Sequence, residues 1–382
     1  MKETKRVLIA SGGTGGHFYP GLALANELRA HGGWEPLFLV KKGDISLGVL
    51  RENYYPYAEL DMISLPRTLN PLAYAAFCRK LSGSVLACLR ILADFKPVFV
   101  AGTGSYVSFP AVLAAALKGV PSMIHDSNAV FGLANRLSGI FASKAALGLP
   151  VKNNPFKAKS ELTGTPIRGF FLKMPTAAEA KRKFAFDPDI PVTLVFGGSQ
   201  GARKINQAVL ETALKLRAAG AAFQLIHITG KRDHAEFLAK YAAEGLTGLP
   251  GVKILGYCER MDEAYAAADL VVSRSGGSTI SELARLGKPA VLVPLPGSPG
   301  DHQKANAEIL SGAGAAILLE ETPGFSGELY GTMKQLLDEP ARIGSMKQRF
   351  KELALPDPLL AAGALRAIME KQLSVGGETY GN

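Results

Sequence analysis

The chain has 382 residues, 47% hydrophobic and 20% charged, with a formal net charge of +10. That length exceeds the ~250–300 residues at which a single core stops growing, so two domains are expected and a largely disordered chain is excluded. Cys78, Cys88 and Cys258 form no disulfide framework, and the charged start precedes too short an apolar run for a signal segment, so the expectation is a reduced cytosolic protein.

In chain order, apolar strands are expected over 6–10, 36–40, 98–101, 122–125 and 145–147, alternating with helices over 22–29, 72–94, 109–117 and 133–137. That alternation is the pattern of a parallel sheet covered on both faces. A seam rich in Asn, Pro and Lys follows over 150–160, and the alternation restarts. Its strands are 192–196, 224–228, 252–255, 270–273 and 290–294, and its helices 204–216, 233–243, 261–267, 280–286 and 303–311. No stretch reads as a run of ~18 apolar residues. The helical segment 71–94 is amphipathic with Arg67, Arg79, Lys80 and Arg90 on or beside it, which suits an anionic membrane surface; by composition alone it reads as core-facing. The first 167 residues hold 18 Lys and Arg against 10 Asp and Glu, a basic half that suits nucleic acid, anionic lipid or a phosphorylated substrate.

The halves echo each other. Val7-Leu-Ile-Ala-Ser-Gly12-Gly13-Thr14-Gly15-Gly16 is similar to Thr193-Leu-Val-Phe-Gly197-Gly198-Ser199-Gln200-Gly201. In each, a first strand empties into glycines ahead of a helix, which points unpaired N–H groups at one spot where a phosphate can sit. The first loop is not a dinucleotide fingerprint, because the second strand ends in Lys41-Lys42 where ribose recognition wants an acid. The stretch 271–286 repeats the theme. A strand leaves through Arg274-Ser275-Gly276-Gly277-Ser278, and Glu282 lies one turn into the next helix, placed for ribose hydroxyls. Thr279-x-x-Glu282 also has the spacing of a capping box. His125-Asp126-Ser127-Asn128 stands at a strand end, either as site residues or as an Asx-type turn. No metal-ligand pattern and no Walker loop is present.

Together these motifs resemble the bacterial glycosyltransferase family that adds N-acetylglucosamine to lipid-linked muramyl-pentapeptide to make lipid II. The carrying residues are Gly12-Gly13-Thr14-Gly15-Gly16-His17-x-x-Pro20, His125-x-x-Asn128, Gly164-x-Pro166-x-Arg168 and Gly197-Gly198-Ser199-Gln200-Gly201, with Arg274 to Glu282 and Asp301-x-Gln303-x-x-Asn306. The resemblance implies the α/β GT-B architecture, two Rossmann-like doubly wound parallel-sheet domains facing across a cleft. Residues 1–167 would be the acceptor and membrane domain and 168–356 the donor domain. A helix over 359–373 would cross back, and 374–382 would be a flexible tail.

It also implies an inverting hexosyltransferase that uses UDP-N-acetylglucosamine, acts on lipid I, and requires no cofactor and no metal. Ser199, Arg168 and the Gly277-Ser278-Thr279 turn would hold the diphosphate, the backbone at Cys258 the uracil, Glu282 the ribose and Gln303 the sugar. Thr14, Gly15, Gly16 and Asn128 would reach the donor from the first domain. Gly104, Ser105 and Tyr106 would bind the acceptor pyrophosphate, and His17 would be the catalytic base, with Asn128 beside it. The expected location is peripheral, on the cytoplasmic face of the cell membrane, without nucleic acid. The family's usual His-Glu-Gln-Asn is His125-Asp126-Ser127-Asn128 here, and the loop at Gly102 has fewer glycines than usual. The rival readings are another GT-B UDP-sugar enzyme, such as a diacylglycerol glycosyltransferase or a UDP-sugar epimerase, and a basic nucleotide-sensing or nucleic-acid-binding protein.

Overall fold

The computed structural model describes residues 4–63, 66, 70–198 and 201–379, and for 375–379 the backbone alone. The chain divides into two compact units, Met1–Arg168 with Pro356–Asn382, and Gly169–Leu355.

The first unit runs β1 (Lys5–Ala10), α1 (Gly15–His31), β2 (Trp34–Lys41), α2 (Leu47–Glu52), β3 (Tyr57–Leu60), α3 (Pro71–Phe95), β4 (Phe99–Gly102), α4 (Ser108–Leu117), β5 (Ser122–Asp126), α5 (Leu133–Phe141), β6 (Lys144–Leu147) and β7 (Ser160–Leu162). Its strands form one sheet in the order β3-β2-β1-β4-β5-β6-β7, every pair parallel. The centre of β1 shows why. Val7, Leu8, Ile9 and Ala10 are all fully buried, as a strand covered on both faces requires. Val7 and Ile9 pack with Leu24 and Leu28 of α1, whereas Leu8 and Ala10 pack with Cys88 of α3 and Ala111 of α4. The strand order reverses between β1 and β4, so the turns leaving β1, β4 and β5 surround the switch point where open α/β sheets take ligands.

The second unit runs α6 (Ala177–Lys183), β8 (Val192–Phe196), α7 (Arg203–Ala218), β9 (Gln224–Ile228), α8 (His234–Ala243), β10 (Val252–Leu255), α9 (Met261–Ala267), β11 (Leu270–Ser273), α10 (Gly277–Leu286), β12 (Ala290–Leu292), α11 (His302–Gly312), β13 (Ala316–Leu318), α12 (Phe325–Asp338) and α13 (Pro340–Arg349). Its parallel sheet has the order β10-β9-β8-β11-β12-β13, with the reversal between β8 and β11. The two parallel-sheet α/β domains expected from the sequence are therefore present.

The chain then re-enters the first unit as α14 (Ala361–Thr379). Leu365, Ile368 and Met369 are spaced to share one helix face, and they bury against the cluster that contains Leu24 and Leu28 of α1. Arg366 Nε donates to Glu27 Oε1 at 3.1 Å across the same contact. The helix continues to Thr379, so the polar composition from 374 onward does not end it where a tail was expected.

Two expectations about α3 need correction. It buries only Ser84, Cys88 and Leu92, while Leu72 and Leu86 are exposed, so it is not mainly core-facing. By length and composition it is also long and apolar enough to cross a membrane, which scanning for an uninterrupted apolar run misses because Arg, Lys and Ser are interleaved. Arg67 lies outside the described residues. The elements absent from the expected set are the short strands β3, β7 and β13 and the helices α2, α6, α12 and α13. For α6 a signal existed. Thr176 and Glu179 form a reciprocal capping box at its start.

Candidate active site

In the first unit the β1–α1 turn is set by glycines and by one acid. Gly12 and Gly13 have φ of +135° and +83°, conformations that suit glycine. Gly13 N donates to Asp44 Oδ2 at 2.7 Å, and Asp44 Oδ1 accepts from Ser46 N at 2.9 Å and Ser46 Oγ at 2.7 Å. The N–H expected to meet a phosphate at Gly13 is thus taken by a carboxylate of the protein itself. Asp44 comes from the following βα turn and was not anticipated; its Asp-x-Ser spacing is the only local signal.

Helix α1 starts at Gly15, with Thr14 as N-cap, so Gly15, Gly16 and His17 form its first turn rather than a loop. The helix opens well before position 22 even though it contains Pro20. Proline cannot donate to the carbonyl four residues back, and here that carbonyl, Gly16 O, accepts from Ser127 Oγ at 3.4 Å. The carbonyl of His17 accepts from Thr103 Oγ1 at 2.8 Å and Ser11 Oγ at 3.1 Å. Its imidazole lies on Gly104, where an added Cβ would stand 2.3 Å from Nδ1. Gly104 and Ser105 both have positive φ, +103° and +72°, and Ser105 is also adjacent to Gly13. His17, Gly104 and Ser105, named from separate motifs, are therefore brought side by side. Tyr106 turns partly into the apolar cluster beneath α3 and α4.

The β5–α5 turn resolves an open alternative. Asp126 is buried, and its carboxylate accepts from Asn128 N at 3.0 Å, Asn128 Nδ2 at 3.1 Å, Gly132 N at 2.9 Å and Asn135 Nδ2 at 3.0 Å. It forms the Asx-type turn and at the same time holds the Asn128 side chain. His125 is fully buried, and that burial keeps its pKa below the usual value; its Nε2 lies 3.2 Å from Gly164 O. Asp126 builds the turn and His125 ties the strand to Gly164, while Asn128 is only partly buried. Arg168, where the chain first leaves this unit, has its guanidinium 5.6 Å from the centre of the Tyr19 ring on α1.

In the second unit, Ser199 and Gln200 lie outside the described residues. Around them, Gly197 is pressed on Ala202, where a Cβ would meet the backbone N at 2.3 Å, and Gly201 has φ +76° against Thr229 O. The β11–α10 turn corrects the capping-box alternative. The N-cap is Gly276, so Gly277, Ser278 and Thr279 are the first turn and Thr279 is not at the cap. The helix opens that early because Ser275 is fixed: its Oγ donates to Gln303 O at 2.7 Å, and its carbonyl accepts from Asn306 Nδ2 at 2.9 Å. Gly276 has no side chain to offer the first-turn N–H groups, which makes this helix N-terminus an anion-binding arrangement.

Glu282, only 8% exposed, accepts from Tyr265 Oη at 2.8 Å through Oε2. Tyr265 is fully buried on α9 and was not predicted. Gln303 accepts from Leu295 N at 2.9 Å through Oε1, which fixes its amide beside the same turn. Cys258 stands apart from this group in the sheet order, after the edge strand β10, next to the exposed Tyr257 whose ring lies under Lys231 at 4.7 Å. Among the described residues, no group of three His, Cys, Asp or Glu side chains is arranged to hold a metal ion.

Comparison with known proteins matches residues 7–147 to the glycosyltransferase family 28 N-terminal domain and 192–357 to its C-terminal domain. The UDP-N-acetylglucosamine–N-acetylmuramyl-(pentapeptide) pyrophosphoryl-undecaprenol N-acetylglucosamine transferase of Elusimicrobium minutum is 37% identical, over 96% of this chain and 99% of its own. The protein of the same name from Desulforudis audaxviator is 37% identical over 93% and 95%. Among solved structures, Acinetobacter baumannii MurG superposes with a TM-score of 0.75 at 27% identity, covering 96% of this chain and 99% of that one. A UDP-N-acetylglucosamine 2-epimerase reaches a TM-score of 0.62 at 16% identity, a likeness of fold alone.

Proposed function

The chain belongs to glycosyltransferase family 28, and from that premise we propose that it transfers N-acetylglucosamine from UDP-N-acetylglucosamine to the 4-hydroxyl of the muramyl residue of lipid I, forming lipid II. The structural observation that carries this reading is the opening of α10. An N-terminus without a side-chain cap stands one turn from a buried carboxylate, the pairing that a nucleoside diphosphate asks for.

The second unit supplies the donor half. Gly277, Ser278 and Thr279 meet the diphosphate, and the family motifs assign Ser199 and Arg168 to it as well. Glu282, oriented by Tyr265, accepts from the ribose hydroxyls; the backbone at Cys258 reads the uracil and Gln303 the sugar. The first unit supplies the acceptor half. The Gly104–Tyr106 turn receives the acceptor diphosphate, while Thr14, Gly15, Gly16 and Asn128, at the same switch point, are assigned to the donor.

In the reaction the muramyl oxygen attacks the anomeric carbon on the face opposite UDP. The C1–O bond to the β-phosphate breaks, and the configuration inverts to a β-1,4 link. His17 takes the hydroxyl proton. With its Nδ1 edge on Gly104, Nε2 is the nitrogen on the far edge and is assigned as the base. The charge that develops on the leaving diphosphate is met by fixed backbone dipoles at α10, donors already aligned before the bond breaks.

Peripheral membrane binding belongs to the same proposal. Helices α3, α4 and α5 pack side by side, and Leu72, Leu86, Leu137 and Ile140 are exposed on them beside Arg79, Arg90 and Arg136. Apolar side chains among cations suit an anionic leaflet, which is where a lipid-linked diphosphate acceptor resides. Radiolabelled UDP-N-acetylglucosamine offered with a short-chain lipid I analogue tests the whole reading. Label is expected in the lipid-linked disaccharide. Label in glycosylated diacylglycerol, or only epimerised donor, would replace it with one of the rival activities.

A further inference from the structure

Glu320 and Glu321 stand side by side at the exit of β13. The Glu321 side chain is 4% exposed, and Arg274 Nη2 lies 2.6 Å from its Oε1. Through Nη1 the same guanidinium donates to the carbonyls of Val293 and Pro294 at 3.2 and 3.0 Å. The residue that opens the β11–α10 turn therefore has its charge neutralised within the protein. The other oxygen of Glu321 is 3.6 Å from Lys204 Nζ, in the first turn of α7 just beyond Gly201. Glu320 pairs with Lys304 of α11 at 2.6 Å, one residue from Gln303. One short segment thus ties together α7, the α10 turn and α11.

We propose that Glu321 is a positioning residue for donor binding. Through Arg274 it fixes the 274–279 turn that receives the diphosphate, and its second oxygen faces Lys204 at the start of α7. The Arg274–Glu321 ion pair is buried, so separating it would leave an uncompensated charge, and the two carbonyl bonds of Nη1 fix where the guanidinium sits. The inference rests on the second unit being the donor half, and it adds that Arg274 acts through Glu321 rather than on phosphate.

The test compares steady-state KM values for donor and acceptor in full-length variants. Glu321→Gln is expected to raise the KM for UDP-N-acetylglucosamine about tenfold or more, as small misplacements in a site do, with acceptor KM nearly unchanged. Glu352→Gln, which breaks the exposed Arg349–Glu352 pair, is the control and keeps the wild-type donor KM.

Because an unpaired buried arginine can destabilise the fold, the double variant R274M/E321L separates positioning from stability. It is expected to recover the melting temperature while the donor KM stays high. A double variant that recovers both, or a folded Glu321→Gln with wild-type donor KM, overturns the positioning role and leaves the donor reading intact. A wild-type protein that does not bind UDP-N-acetylglucosamine would overturn the donor reading and this inference with it.

Discussion

His17 and Gly104 are in contact: the imidazole Nδ1 occupies the space where a side chain at Gly104 would begin, 2.3 Å from an ideal Cβ. Gly104 also has φ +103°, so two independent constraints exclude a side chain there. If His17 is the base, Gly104→Ala must displace it. The expected result is a fall in kcat of about 100-fold or more, the range for loss of a general base, with the KM for UDP-N-acetylglucosamine unchanged. His17→Ala should match it. Near-normal turnover in either variant removes the assignment.

Tyr265 and Glu282 yield a second prediction. The phenol orients the Glu282 carboxylate, and Tyr265→Phe removes that orientation, so it should weaken UDP binding about tenfold or more, as small misplacements in a site do. Glu282→Ala should weaken it further, and neither should alter acceptor affinity. Calorimetry with UDP and acceptor titrations would check both. Equal losses for donor and acceptor would mean that the carboxylate only braces α10.

Stability should depend on pH through His227. It is fully buried between Tyr241 Oη at 2.9 Å and Asn206 Oδ1 at 3.0 Å, and burial lowers its pKa to about 3. The unfolded value is about 6.5, so above that pH both states are neutral and the native state keeps its full advantage. Below it the unfolded chain binds a proton that the folded chain refuses. Stability then falls by about 1.4 kcal/mol per pH unit until the folded pKa is reached. His227→Gln should flatten the dependence between about pH 6 and pH 4 in urea titrations. A variant with the wild-type slope would show that His227 does not carry it.

Membrane binding should depend on the apolar face of α3 and α5. Ile140→Glu and Leu72→Glu, both at exposed positions, should reduce flotation with anionic vesicles at low salt, and neutral vesicles should bind less in every case. Unchanged flotation would direct attention to a different surface.

The sheet and its switch points were legible in the sequence because parallel strands buried on both faces appear as short apolar runs. Val7 to Ala10 and Val192 to Phe196 are examples. What the sequence hid was who occupies each glycine turn. Gly12-Gly13 has the composition of a phosphate turn, yet Asp44 fills it from the next βα connection, a contact that no local pattern announces. Thr279-x-x-Glu282 has capping-box spacing, yet Asn306 and Gln303, almost a full βα unit later, hold Ser275 so that the helix starts at Gly277. Tyr265 and Glu321 were missed for the same reason. Each acts on the site from a different element, by a hydrogen bond or ion pair that exists only once the sheet is assembled.

The turns ahead of α1 and α10 both lead into helices without a side-chain cap, at Thr14 and at Gly276, and they differ in what surrounds them: the Asp44 carboxylate takes the N–H of Gly13, whereas a buried carboxylate, Glu282, stands one turn into α10. A crystal structure with UDP bound tests that distinction most directly. The diphosphate should lie on the N–H groups of Gly277, Ser278 and Thr279, with the ribose hydroxyls on Glu282. A diphosphate seated at Gly12 and Gly13, with the Asp44 carboxylate displaced, would contradict the account.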